Sequence, residues 1–190
     1  MAVIERPDEE DISNLFRKYG TPVIREIQWD LRRLDQTFEK PECIGEGVPV
    51  IFDDKDRVVM VRHSGPKNID YWKLPMGRIE FGETVEQGTI REAKEETGFD
   101  IELIELPAIH KIMINFEKSQ LIRWHFIFKA KIIGGSPEPI DKNEIAEVSF
   151  FQSIPKFSNW GKLDSEWIPL AINDAMKIIG KSEGAPFDRK

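Results

Sequence analysis

Thr84 and Gln87 stand three residues apart at the head of a run with helical periodicity. In this reciprocal pattern a threonine hydroxyl and a glutamine side chain satisfy two backbone N–H groups that a helix start otherwise leaves unbonded. The spacing predicts a helix from Thr84 to Thr97. Within it Glu92, Glu95 and Glu96 fall at i, i+3 and i+4, so a 3.6-residue turn gathers three carboxylates on one side while Ile90, Ala93 and Thr97 face another. Like charges at this spacing cost an isolated helix about 0.2–0.5 kcal/mol per pair, which Arg91 and Lys94 offset as solvated neighbours. Taken alone, the trio reads as a charged, solvated face. What precedes it changes that reading: Leu74-Pro75-Met76-Gly77-Arg78-Ile79-Glu80-Phe81-Gly82-Glu83 sets two glycines, residues that permit tight backbone turns, directly before the acidic helix.

Written from Gly77 to Phe99, the segment is G-x5-E-x7-R-E-A-x-E-E-x-G-F. It resembles the signature of the Nudix hydrolases, G-x5-E-x7-R-E-U-x-E-E-x-G-U, where U is an apolar residue. Seven fixed letters at fixed spacing arise by chance in a chain of this length with a probability on the order of 10⁻⁶ or less. Ala93 is small for its U position, and Met76 stands where many members carry another glycine. Neither departure removes a carboxylate.

The resemblance implies a pyrophosphohydrolase that uses Mg²⁺ or Mn²⁺ to cleave a nucleoside diphosphate linked to another group. Hard oxygen donors on a rigid helix suit such cations. It implies Glu92, Glu95 and Glu96 as metal ligands, with the backbone carbonyl of Met76 beside them. Arg91 is expected to orient the carboxylates through charge-assisted hydrogen bonds, and Glu83 to be their partner or a further ligand. The general base stays open between a motif glutamate such as Glu92 and a carboxylate from a later loop. The loop Asp141-Lys142-Asn143-Glu144-Ile145-Ala146-Glu147 offers Glu144 and Glu147. His63, His110 and His125 lack ligand spacing and read as packed or surface residues, and Trp72, Phe116 and Trp124 as core rather than base-stacking residues.

Around this segment the period is that of strands. Val48 to Phe52 and Arg57 to Arg62 flank a turn at Asp53-Asp54-Lys55-Asp56, and a long hairpin runs from Ile101 to Ile114 and from Leu121 to Ile133. In its second arm Ile122, Trp124, Phe126, Phe128 and Ala130 share the expected core face, with Arg123, His125 and Lys129 opposite. A strand at Ala146 to Phe151 and a closing helix from Trp167 to Ile179, stopped by Gly180, complete the pattern. Upstream, a helix from Pro7 to Tyr19 ends at Gly20. Val23, Ile27, Leu31, Leu34 and Phe38, after Thr21-Pro22, predict a second amphipathic helix. The expected fold is therefore an α/β (α+β) chain: a Nudix-type α/β/α sandwich with a mixed sheet in residues 43–190, and a helical hairpin in residues 1–42 that packs on it or forms a homodimer contact.

With 190 residues the chain holds one sizeable core. Its 34 acidic side chains against 27 basic ones give a net charge of −7, which disfavours a nucleic acid polymer as partner and leaves a small, metal-bridged polyphosphate. Cys43 is the only cysteine, so an intramolecular disulfide is ruled out, a reducing cytoplasmic setting is expected, and an isomerase that needs a catalytic cysteine is disfavoured. No apolar run is long enough to span a bilayer, and the acidic start MAVIERPDEEDIS does not resemble a signal peptide. Met113-Ile114-Asn115-Phe116 lacks the proline or tyrosine that marks the ADP-ribose and dinucleoside polyphosphate groups of the family, and the NADH-type signature is missing. A nucleoside triphosphate is favoured over a nucleoside diphosphate sugar. The alternative to hydrolysis is a nucleotide-sensing module on the same fold.

Overall fold

The computed structural model describes residues 9–31, 45–65, 71–116, 119–154 and 162–177. In chain order its elements are α1 (Glu9–Tyr19), β1 (Val23–Leu31), β2 (Glu46–Phe52), β3 (Val58–His63), β4 (Trp72–Lys73), β5 (Gly77–Arg78), α2 (Val85–Thr97), β6 (Phe99–Phe116), β7 (Ser119–Gly135), β8 (Ile145–Phe151) and α3 (Lys162–Met176). The eight strands form one mixed sheet in the order β1-β6-β7-β2-β3-β4, with β5 paired to β2 and β8 to β3. β1 runs parallel to β6 and β2 parallel to β7, while the β6–β7 hairpin and the β3 pairings are antiparallel. β2 and β3 touch through a single register pair, Phe52↔Val58, so they diverge toward the start of β2, where β5 lies alongside.

Both faces of the sheet are covered, as expected of the sandwich. Val48, Val50, Met60, Ile112 and Ile127 pack with Trp167, Ile168 and Ile172 of α3. On the opposite face Phe126, Phe128 and Ile109 meet Val85 of α2 and Leu15 of α1, and Ile51, Val59 and Ala130 meet Ala93. The alternation in β7 follows the sequence: Phe126, Phe128 and Ala130 are fully buried on the α2 side. Arg123 and His125 are not on a solvated face, however: they are 2% and 5% exposed, His125 lying against Trp167 of α3 and Arg123 bonded to Glu46.

Over the described residues 23–31 the expected second N-terminal helix is replaced by a strand. Val23–Leu31 is a strand, in register with Ala108–Phe116 from Val23↔Ala108 to Leu31↔Phe116. The apolar residues that predicted a helix recur at steps of four, and four is a multiple of the strand period of two as well as close to one helical turn, so Val23, Ile27 and Leu31 fit either element. The bare edge of β6 decides it. Trp29 buries to 8% and Ile27 packs beside it on the α3 side, while Glu26 and Gln28 point outward. Residues 1–42 are therefore helix followed by strand over their described part. Leu34, Phe38, Cys43 and Gly180 lie outside the described residues, as does the side chain of Phe116.

α1 does end at Gly20, whose φ of 81° breaks the helix. It docks on the acidic helix. Leu15 is 1% exposed, a burial worth about 1.5–3 kcal/mol, and Asp11 Oδ2 accepts the N–H of Val85 at 2.9 Å. Lys18 Nζ and Tyr19 Oη also reach Glu86 Oε1, at 2.6 and 2.5 Å.

Candidate active site

The acidic helix begins and ends as the sequence prescribes. Gln87 N–H donates to Thr84 Oγ1 at 3.2 Å and Thr84 N–H to Gln87 Oε1 at 2.9 Å, closing the capping box. At the other end Gly98 takes φ 77°, and its N–H donates to the Lys94 carbonyl. The helix sits close to the sheet because Gly47 has no side chain; a Cβ there would run into Thr89. Gly77 does the same for the site, since a Cβ on it would overlap the carboxyl of Glu92.

Arg91 organises the carboxylates. Its Nε and Nη2 donate to Glu83 Oε1 and Oε2 at 2.7 and 2.9 Å, its Nη1 to Glu92 Oε1 at 2.8 Å and Glu95 Oε2 at 3.2 Å, and its Nη2 also to the carbonyl of Arg78 at 2.9 Å. A planar guanidinium presents five N–H donors in a fixed fork, so it holds three acids and the loop carbonyl at defined angles. The hydrogen bonds from Arg91 keep Glu83 below its ordinary range, and those acids raise Arg91 in turn.

Glu96 is different. It is 4% exposed, accepts the Met76 N–H at 2.9 Å, and lies 3.9 Å from His63 Nε2. Burial pushes its carboxyl up to about 8; Lys73 and the Met76 N–H oppose this, and the charges of Glu92 and Glu144 add to it. Burial raises Glu92 as well, against the hydrogen bond from Arg91. His63 is drawn down to about 4 by burial and the charge of Lys73, so it is neutral near pH 7.

The two loop glutamates part company. The loop after β7 folds over the end of α2, where Ile140 N–H donates to the Glu95 carbonyl at 2.9 Å, and β3 holds it through Ser64 N–H on the Glu144 carbonyl at 2.8 Å. The charge of Glu144 is thereby felt by both Glu92 and Glu96. Glu147 is bound to Arg62 Nη2 at 2.9 Å across the β3–β8 pair and is half exposed. Met76 reaches the acids through its N–H, on Glu96. Trp72 packs edge-on against Phe151 and Trp124 lies against the Phe126–Phe128 cluster, both as core residues. In the sequence His63 reads as a packed or surface residue and Lys73 carries no local signal; the pairing of β3 with β4 and β8 brings both to Glu96.

The donor set fits a hard divalent cation. Glu92 and Glu96, both raised by burial and by neighbouring carboxylates, gain from an added cation, and their oxygens are the donors Mg²⁺ and Mn²⁺ prefer. Among the described residues no three acidic or imidazole groups converge closely enough to enclose an ion as they stand, with Arg91 drawing Glu83, Glu92 and Glu95 to itself.

The sequence model of the NUDIX domain matches residues 44–169. The chain belongs to the Nudix family. Its curated relatives include the 8-oxo-dGDP phosphatase NUDT18 of Danio rerio, 36% identical over 130 residues covering 67% of this chain and 36% of that protein. Another is the RNA pyrophosphohydrolase of Orientia tsutsugamushi, 29% identical over 162 residues covering 79% and 84%. Several relatives are much longer, the chain spanning 22% to 36% of the length of three of them. Among solved structures, the pyrophosphohydrolase BsRppH of Bacillus subtilis shares the Nudix fold with a TM-score of 0.50 at 15% identity, covering 74% of this chain and 85% of that one. No helix among the described residues is long and apolar enough to cross a membrane.

Proposed function

We propose that this chain is a metal-dependent Nudix hydrolase that cleaves the pyrophosphate bond of a small nucleotide-type substrate. The observation that carries the reading is the Arg91 clamp: one guanidinium orders Glu83, Glu92 and Glu95 beside the buried Glu96. In the bound state Glu92, Glu95 and Glu96 would hold Mg²⁺ or Mn²⁺, with the Met76 backbone next to them. The cation supplies neutralisation of the pyrophosphate oxygens and activation of water. The chain's own residues do the rest. Arg91 fixes the angles of the acids, Gly77 leaves room for Glu92, and Lys73 sets a cation near the buried Glu96. Glu144 is the general base: its charge acts on both Glu92 and Glu96, whereas Glu147 is occupied by Arg62. Water's oxygen forms the new bond to phosphorus, the bridging P–O bond breaks, and the water proton passes to the base.

The names RNA pyrophosphohydrolase and 8-oxo-dGDP phosphatase share a diphosphate and differ in what it carries. A net charge of −7 supports free nucleotides over polymer ends, and the lack of the family's ADP-ribose proline marker around Met113–Phe116 favours nucleoside triphosphates over diphosphate sugars. A reducing, cytoplasmic setting accords with the single cysteine. The test is a panel of nucleoside triphosphates, nucleoside diphosphate sugars and 5′-triphosphorylated RNA with Mg²⁺ or Mn²⁺, products being separated by chromatography. Monophosphate plus pyrophosphate from a triphosphate is expected. Turnover confined to RNA ends would overturn the small-substrate reading, and binding without turnover would leave a sensing module. Glu144→Gln should lower kcat at least about 100-fold and Glu147→Gln less than about 5-fold. The reverse order would exchange the two roles.

A further inference from the structure

Under α3 the sheet carries ionisable residues in one transverse row. Arg25 of β1 is the register partner of His110 on β6, His110 of His125 on β7, His125 of Glu46 on β2, and Glu46 of Arg78 on β5. A sheet face packed on a helix ordinarily holds apolar side chains, because a buried charge without partners is strongly unfavourable. Here the charged groups form two bonded clusters, one on each side of the β6–β7 pairing, across which His110 and His125 meet as register partners with no hydrogen bond at either Nδ1. Arg25 Nε and Nη2 donate to Asp174 of α3 at 2.6 and 2.5 Å, and His110 Nε2 lies 3.4 Å from the same carboxylate. His125 Nε2 is 2.7 Å from Glu46 Oε2, and Arg123 Nη2 donates to Glu46 Oε1 at 2.7 Å. Trp167 of α3 stands edge-on to His125, with ring centroids 5.3 Å apart.

The row ends where residues 74–82, the catalytic loop, are attached. β5 pairs with β2 through Glu46↔Arg78 and Gly47↔Gly77, and Ile79 N–H donates to the Gly45 carbonyl at 3.0 Å. The loop is thus hung from the first residues of β2, and Arg78 is the residue whose carbonyl receives Arg91. A strand end frays unless a side chain pins it, and Glu46 is pinned to β7 by two cationic or imidazole donors. Arg25 and Asp174, at the far end of the row, both fall outside the residues matched to the Nudix domain.

We propose that Glu46 is a positioning residue for the catalytic loop, and that the Arg25–Asp174 clamp, through the His110–His125 pair, transmits the seating of β1 to it. Resting on the hydrolase reading above for its activity readout, the proposal has a second readout that does not depend on turnover. In hydrogen exchange on the full chain, Glu46→Gln and Asp174→Asn should each speed exchange of residues 74–82 about tenfold more than that of the β6–β7 hairpin, where any loss of global stability registers equally. kcat should fall about tenfold with KM unchanged, and Asp174→Glu should restore part of it. Equal acceleration in both regions, or none in residues 74–82, would overturn the proposal. Should Glu46→Gln fail to fold, Asp174→Asn and Arg25→Lys decide alone, the lysine keeping the charge and giving the smaller effect. A wild-type protein without turnover on any diphosphate would overturn the hydrolase reading and leave the exchange comparison to judge the row.

Discussion

At the scale of single residues, the site is a balance between one cation and several acids. Arg91 neutralises Glu83, Glu92 and Glu95, while Glu96 is left to burial, the Met76 N–H and the field of Lys73. Replacing Glu96 by Gln removes one of the repelling carboxylates and keeps its shape. Glu96→Gln should therefore leave the urea midpoint unchanged or raised while kcat falls by about 10³-fold or more, and a variant with retained turnover would remove Glu96 from the ligand set. Gly77→Ala tests the space rather than the charge. Its added methyl collides with the Glu92 carboxyl, so activity should drop by at least about 100-fold with far-ultraviolet circular dichroism unchanged. The motif letters Gly77, Arg91 and Glu96 were all readable in the sequence, since a local pattern fixes their spacing. Their inequality was not, because burial of Glu96 beside exposed Glu95 depends on which side of α2 meets the sheet.

Among the elements, α2 shows why local signals succeed. Thr84, Gln87 and Gly98 satisfy or terminate the backbone within a few residues of themselves, so its limits follow from the chain alone. Its first turn nonetheless receives a distant acceptor in Asp11 of α1. Asp11→Ala should cost about 1 kcal/mol in urea denaturation with kcat little changed, because Thr84 still caps the helix. An unchanged midpoint would show that water replaces the carboxylate at no cost. β1 is the converse case. Ile27 and Leu31 sit four residues apart in either secondary structure, and the edge of β6, more than 75 residues further along the chain, selected the strand.

For the molecule as a whole, the buried row predicts how stability responds to acid. Burial alone would raise Asp174, but the hydrogen bonds from Arg25 and His110 bring it down to about 2, below the 3.8 of an unperturbed aspartate. The unfolded chain therefore takes up this proton first as pH falls, and the stability due to ionised Asp174 is present above about pH 4 and lost toward pH 2. Wild type should exceed Asp174→Asn by about 1–3 kcal/mol at pH 6, with the two curves meeting near pH 2. A gap that stays constant across this range in urea titrations would show that Asp174 acts by shape and not by charge. His110, facing Asp174, His125 and Arg25, is held below 6.5 chiefly by burial and raised by Asp174, so Asp174→Asn lowers it further and the gap between the two proteins includes the loss of this pairing. The sequence by itself determined the family motif, the acidic helix with both its ends, the long hairpin and the mixed sheet with helices on its faces, because each rests on contacts or periodicities within a short span. Only the tertiary structure decided that Val23–Leu31 is a strand, that Glu147 is paired with Arg62 while the charge of Glu144 acts on Glu92 and Glu96, and that Arg25, His110, His125 and Glu46 form one row. Those relations are set by strand order and register, which join residues far apart in the chain and leave no mark on any one segment.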